Sequence, residues 1–153
     1  MKHKQLSWKK GAFSCVYQIS NLRKTIGSLK VSSYSSGALG QINGGRYAFK
    51  KQGLLSRTIH VIQKESQSLV ASIKVNIWGN KVSVQTKEKN YIWRFRNVWQ
   101  TKWTLADEKQ VLVSGTRNGL NMKGNIAHKE IDEVLILISL YVKNYMIRMN
   151  SGY

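Results

Sequence analysis

The chain has 153 residues, of which 42% are hydrophobic and 10% aromatic, enough to build a core and too apolar for a disordered polypeptide. Its 25 Lys and Arg oppose 7 Asp and Glu, giving a formal charge of +18, and its single cysteine, Cys15, excludes an intramolecular disulfide. The basic start Met1–Lys10 has no apolar stretch behind it of the kind a secretory signal carries. The expectation is one cytoplasmic domain over 1–153.

Leu6 and Trp8, two apart, suggest a short first strand. Phe13, Cys15, Tyr17 and Ile19 share one parity of a second, with Cys15 read as a small buried hydrophobe. Ile26–Val31 forms a third. Ser32 to Gly45 reads as a Ser- and Gly-rich loop around a short Ala38–Ile42 element, and Arg46–Lys50 and Thr58–Gln63 follow as strands. Ala71, Ile73, Val75 and Ile77 alternate with polar residues. A turn at Gly79-Asn80 leads to the partner strand Lys81–Gln85. Tyr91, Trp93 and Phe95 repeat the alternation with Arg94 and Arg96 on the other parity. Trp99, Thr101, Trp103 and Leu105 extend it, and Gln110–Val113 follows a turn at Asp107-Glu108.

Proline is absent, so turns must rest on other residues, with Gly40, Gly115 and Gly124 among the expected positions. Without proline, sheet edges need closure or charge for protection.

The last element differs. Val134–Val142 is apolar all round, so a helix there has no solvent face and must be covered on every side. It is too short, between Glu133 and Lys143, for the roughly 20 apolar residues that span a bilayer. The expected helix runs from Ala127 to about Arg148, with Glu130, Asp132 and Glu133 in its first turns and Lys143 and Arg148 near its end, matching the macrodipole. An apolar helix after many short strands predicts a mainly β fold: a closed antiparallel barrel of about twelve strands enclosing a hydrophobic C-terminal helix.

In this organisation, and in the strand, strand, Asp-containing turn, strand run Ile92–Val113, the chain resembles the tubby C-terminal-like superfamily, which includes phospholipid scramblases, plant LURP-one-related proteins and bacterial relatives. The resemblance implies a barrel with Val134–Val142 threaded through it. It also implies, from tubby, recognition of phosphoinositides by basic side chains on the outer face. No lipid-contact residue of the family maps onto a particular position here.

Catalytic signals are weak. His3, His60 and His128 are scattered, Cys15 has no ligand partner at metal spacing, and Gly37–Gly40 and Asn43–Gly45 lack the lysine and helix of a phosphate loop. The chain is read as a non-enzyme with no catalytic or metal-ligating residues and no cofactor. The charge is more informative, because it attracts polyanions. Lys50, Lys51, Arg57, Arg94, Arg96 and Lys102 are the candidate anion-binding residues, provided that neighbouring strands bring them into one stripe. The expected partner is an anionic membrane surface or a phosphoinositide-like ligand, with the protein peripheral to the membrane. Two alternatives stay open: a nucleic-acid-binding barrel whose tryptophans stack bases, and a scaffold with incidental charge. Trp93, Trp99 and Trp103 keep the apolar parity and are expected in the core, whereas Trp78 is the best candidate for an exposed aromatic.

Overall fold

A computed structural model describes residues 3–150 except 12–13, 34, 54–55 and 77–80. The expectations for Phe13, Ile77, Trp78 and the Gly79-Asn80 turn lie outside the described residues. Twelve strands occur in chain order: β1 (Lys4–Lys9), β2 (Val16–Asn21), β3 (Lys24–Val31), β4 (Ala38–Ile42), β5 (Gly45–Lys51), β6 (Thr58–Gln63), β7 (Leu69–Val75), β8 (Lys81–Gln85), β9 (Asn90–Phe95), β10 (Lys102–Ala106), β11 (Val111–Thr116) and β12 (Lys123–His128). Helix α1 (Val134–Asn150) ends the fold. Each strand pairs antiparallel with its sequence neighbours, and β1 pairs with β12 to close the barrel. Closure removes the open edges that a proline-free sheet would otherwise expose.

Alternation puts one parity of most strands inside, with adjacent buried residues only at Ala48–Phe49 in β5 and Leu112–Val113 in β11 among the described residues. Tyr17, Ile19, Leu29, Ile59, Val61, Ile73, Val82, Val84, Trp93 and Leu105 are fully or almost fully buried. A twelve-stranded barrel is too wide for these side chains to fill alone. The helix supplies the rest: every residue from Val134 to Lys143 is buried. Trp93 Nε1 donates to the Ser139 carbonyl at 3.2 Å, and Phe49 stacks on Tyr141 at 4.6 Å between ring centroids.

Two details differ from the sequence reading. The helix begins at Val134, because Ala127 and His128 belong to β12, where they pair with Gln5 and Lys4. Asp132 precedes the helix and accepts a hydrogen bond from the Val134 amide at 3.3 Å, an N-terminal cap in place of a residue within the first turn. Gly40, Gly115 and Gly124, expected in turns, lie inside strands. Gly115 sits opposite Trp103 and Gly124 opposite Trp8. A Cβ on Gly115 would stand 2.1 Å from the Trp103 ring, so the glycine is the space the indole occupies.

The meander gives the barrel two distinct ends. Odd strands start at the end where α1 enters, and even strands finish there. The C-terminal part of α1 emerges at the other end, where Arg148 Nη1 donates to the Ser32 carbonyl at 2.9 Å and the Tyr141 hydroxyl donates to the Ser36 carbonyl.

Candidate anion-binding surface

The acids are segregated along this axis. All seven fall in connections at the helix-entry end: Glu65 between β6 and β7, Glu88 between β8 and β9, Asp107 and Glu108 between β10 and β11, and Glu130, Asp132 and Glu133 before α1. Several have local work there. Asp107 Oδ1 accepts the Lys109 and Gln110 amides at 2.8 and 2.9 Å, and these bonds, more than the nearby Lys89, hold its carboxyl below the ordinary range. Glu65 is lowered chiefly by its hydrogen bond to Arg46. Basic residues in the same connections, Arg23, Lys64, Lys87, Lys89, Lys109 and Lys129, nearly balance these acids, and Lys4, Lys24 and Arg46 at the adjoining strand ends make this end mildly positive.

The helix-exit end contrasts sharply. The connections at that end contain no acid among the described residues. Among the described residues, the ion pairs Arg46–Glu65 and Lys89–Asp107 both lie at the entry end.

The six residues singled out from the sequence all lie toward the exit end and are exposed. Lys50 and Lys51 finish β5 and Arg57 precedes β6. Arg94 is on β9, and Arg96 just beyond it donates its amide to the Lys102 carbonyl at 2.8 Å, which sets Arg96 beside Lys102 on β10. The two groups are not contiguous. From β6 to β9 is three strand spacings, about 14 Å along the sheet. Exposed Lys74 on β7 and Lys81 on β8 fill the interval, with Lys81 directly opposite Arg94.

On the far side of this rim, Lys9 and Lys10 are legible in the sequence as a basic pair flanking another turn, whereas Lys123 is not. Lys9 pairs with Lys123 across the closing β1–β12 ladder. A shallow groove of about 800 Å³ runs outside β1, β2 and β12, lined by Lys9, Arg23, Arg117 and Lys123 and by no acid. Like charges opposite one another on a sheet are destabilising, yet Lys81–Arg94 and Lys9–Lys123 are both such pairs. No sequence signal links Lys9 to Lys123; only closure does.

The aromatic residues divide. Trp8, Trp93 and Trp103 are buried, but Trp99 is 76% exposed, against expectation. The parity argument fails because β10 starts only at Lys102. Asn97 Oδ1 accepts the Thr101 and Lys102 amides, and Gln100 adopts φ 59°, so residues 96–101 form a compact turn. Cys15 is half-buried, with Sγ 3.1 Å from Ser33 Oγ. His60 is half-buried on β6, and His128 is buried with Nδ1 2.7 Å from the Lys129 carbonyl oxygen. Among the described residues no three His, Cys, Asp or Glu side chains gather as metal ligands, and no helix is long and apolar enough to cross a membrane.

Fold and surface together define a class: a closed twelve-stranded antiparallel barrel around a C-terminal helix, with one end free of acids. No protein-family model and no curated protein matches the chain. It is similar in structure to a protein from Arabidopsis thaliana solved by X-ray crystallography, with a TM-score of 0.64 over 94% of this chain and 91% of that one. At 11% identity that likeness speaks to the fold alone.

Proposed function

We propose that the protein is a non-enzymatic, tubby-like barrel that binds anionic phospholipid headgroups through its helix-exit end, acting at the periphery of a membrane. The observation that carries this reading is the confinement of all seven acids to the opposite end. Net charge alone would serve solubility; a field polarised along the barrel axis orients the molecule toward a negative surface. The like-charged cross-strand pairs add support, since each costs stability in the free protein and is relieved by a bound phosphate. The twelve-strand-and-helix architecture supports the tubby-like assignment.

The nucleic-acid reading has less behind it. Trp8, Trp93 and Trp103 face the core, which leaves Trp99 as the one described tryptophan exposed to stack a base, where single-strand binding uses a run of such platforms.

Flotation with vesicles of phosphatidylcholine alone, and with added phosphatidylserine, tests the proposal. Binding to the anionic vesicles only, weakening as salt rises, is the expected result. No binding to anionic vesicles at low salt would remove the membrane reading.

A further inference from the structure

Two hairpin tips at the exit end carry large apolar side chains into solvent. Val98 and Trp99 lie between β9 and β10 and are 87% and 76% exposed; Leu120, between β11 and β12, is 77% exposed. Single exposed apolar residues are common, but these belong to one built feature. Arg117 locks the two tips together: its Nε donates to the Gln100 carbonyl at 2.6 Å, its Nη2 to the Trp99 carbonyl at 3.2 Å and its Nη1 to the Asn118 carbonyl at 3.1 Å. Its amide also donates to the Thr101 carbonyl at 3.0 Å. The guanidinium therefore acts as a strut between the loops, and the tips are fixed in relation to each other before anything binds.

Cations surround the pair. Arg96 and Lys102 flank the first tip, and Lys10 is tied to the second by the hydrogen bond its amide donates to the Met122 carbonyl at 2.8 Å. We propose that Val98, Trp99 and Leu120 insert into the interfacial layer of an anionic bilayer while Lys10, Arg96 and Lys102 hold headgroup phosphates. This rests on the membrane reading above and specifies which part of the surface enters the lipid. A bilayer fits because the apolar groups are separate projections ringed by positive charge, and because a tryptophan ring is suited to the boundary between acyl chains and headgroups. The insertion also sets the orientation, with the barrel axis across the membrane plane and the acids directed away.

The test combines binding and depth. Full-length protein is mixed with phosphatidylcholine/phosphatidylserine vesicles with and without brominated acyl chains, and tryptophan fluorescence and co-sedimentation are read together. Expected results are quenching by the brominated lipid that is lost in Trp99→Phe, and partitioning weakened roughly tenfold or more in Trp99→Ser/Leu120→Ser. Leu22→Ser, at the opposite end and 93% exposed in the native chain, should leave both readouts unchanged. All three substituted positions are exposed, and unchanged thermal melts check that the variants fold. If vesicles bind but quenching is the same in Trp99→Phe, or partitioning the same in the double variant, insertion is overturned while the headgroup reading stands. Failure to sediment with anionic vesicles at low salt, including the case in which single-stranded DNA binds instead, overturns both.

Discussion

Lys143 on the central helix donates a hydrogen bond to the Tyr17 hydroxyl of the barrel wall at 2.8 Å. The same nitrogen donates to Asn121 Oδ1 at 2.8 Å and lies 4.3 and 4.4 Å from the ring centroids of Trp8 and Tyr17. The side chain is fully buried and, among the described residues, has no acidic partner. Burial, reinforced by the positive charges of Lys10 and Arg117, pushes its pKa well below the ordinary 10.5, outweighing the attraction of the rings.

Stability should therefore depend on Lys143 over a pH window that closes at the unfolded value. The unfolded chain holds this proton up to about pH 10.4, while the folded chain releases it earlier, so stability rises as pH climbs from the folded value to the unfolded one. Above about pH 10 the trend reverses, because burial raises Tyr17 and Tyr141 and only the unfolded chain ionises them. Lys143→Met keeps the volume, and Tyr17 still donates to Asn144 Oδ1. Thermal melts across pH should show the variant equal to or more stable than wild type at neutral pH, with the rising limb flattened.

Leu137 faces Gly40, whose missing Cβ would come within 3.1 Å of Leu137 Cδ1. Leu137→Ala should cost about 2–5 kcal/mol by opening a cavity, read as a fall of about 2–4 °C in Tm per kcal/mol. Leu137→Asp places an unpaired carboxylate in the core and should leave no folded protein by circular dichroism.

Gly115→Ala should destabilise by several kcal/mol, about the loss expected when a large buried ring is displaced. The added methyl meets Trp103 Cε2 at 2.1 Å, and the indole is buried. Fluorescence should move to longer wavelength as Trp103 meets water; an unchanged spectrum and Tm would show that the ring has another place to go.

Ser139 is buried in mid-helix, and its hydroxyl has no hydrogen-bond partner among the described residues. Ser139→Ala should be neutral or stabilising by about 1 kcal/mol, because an unmet polar group is removed and the backbone carbonyl that serves Trp93 remains. Chemical denaturation would measure it directly.

Charge reversal distinguishes the two ends. Arg94→Glu/Arg96→Glu should weaken attachment to anionic vesicles and lessen its salt dependence, whereas Lys87→Glu/Lys109→Glu at the entry end should do neither. Equal losses from both pairs would mean that total charge, and not its polarity, governs binding.

The sequence carried the alternation and the central helix well, because apolar parity and an all-round apolar run are local patterns. It hid β12: of the inward positions Gly124, Ile126 and His128, only one is a large apolar side chain, and the glycine is there because Trp8 needs the space. Trp99 misled in the opposite way, since its spacing to Trp103 continues the parity across residues that turn. Lys143 read as one of the charges near the end of the helix; nothing in its neighbours along the chain reveals that Tyr17 and Asn121 will meet it. Of the surface, the six cations were visible singly, but their sharing one end with Lys9 and Lys123 depends on strand direction and on closure, which are properties of the whole chain.

The β1–β12 seam has a kinetic consequence. Trp8 donates to the Thr116 carbonyl 108 residues away, and the helix follows β12 in the sequence. The cylinder cannot be completed until its last strand is made, and its filling is made later still. Folding should thus be slow, limited by a long-range search, with the nascent sheet dependent on partners not yet synthesised.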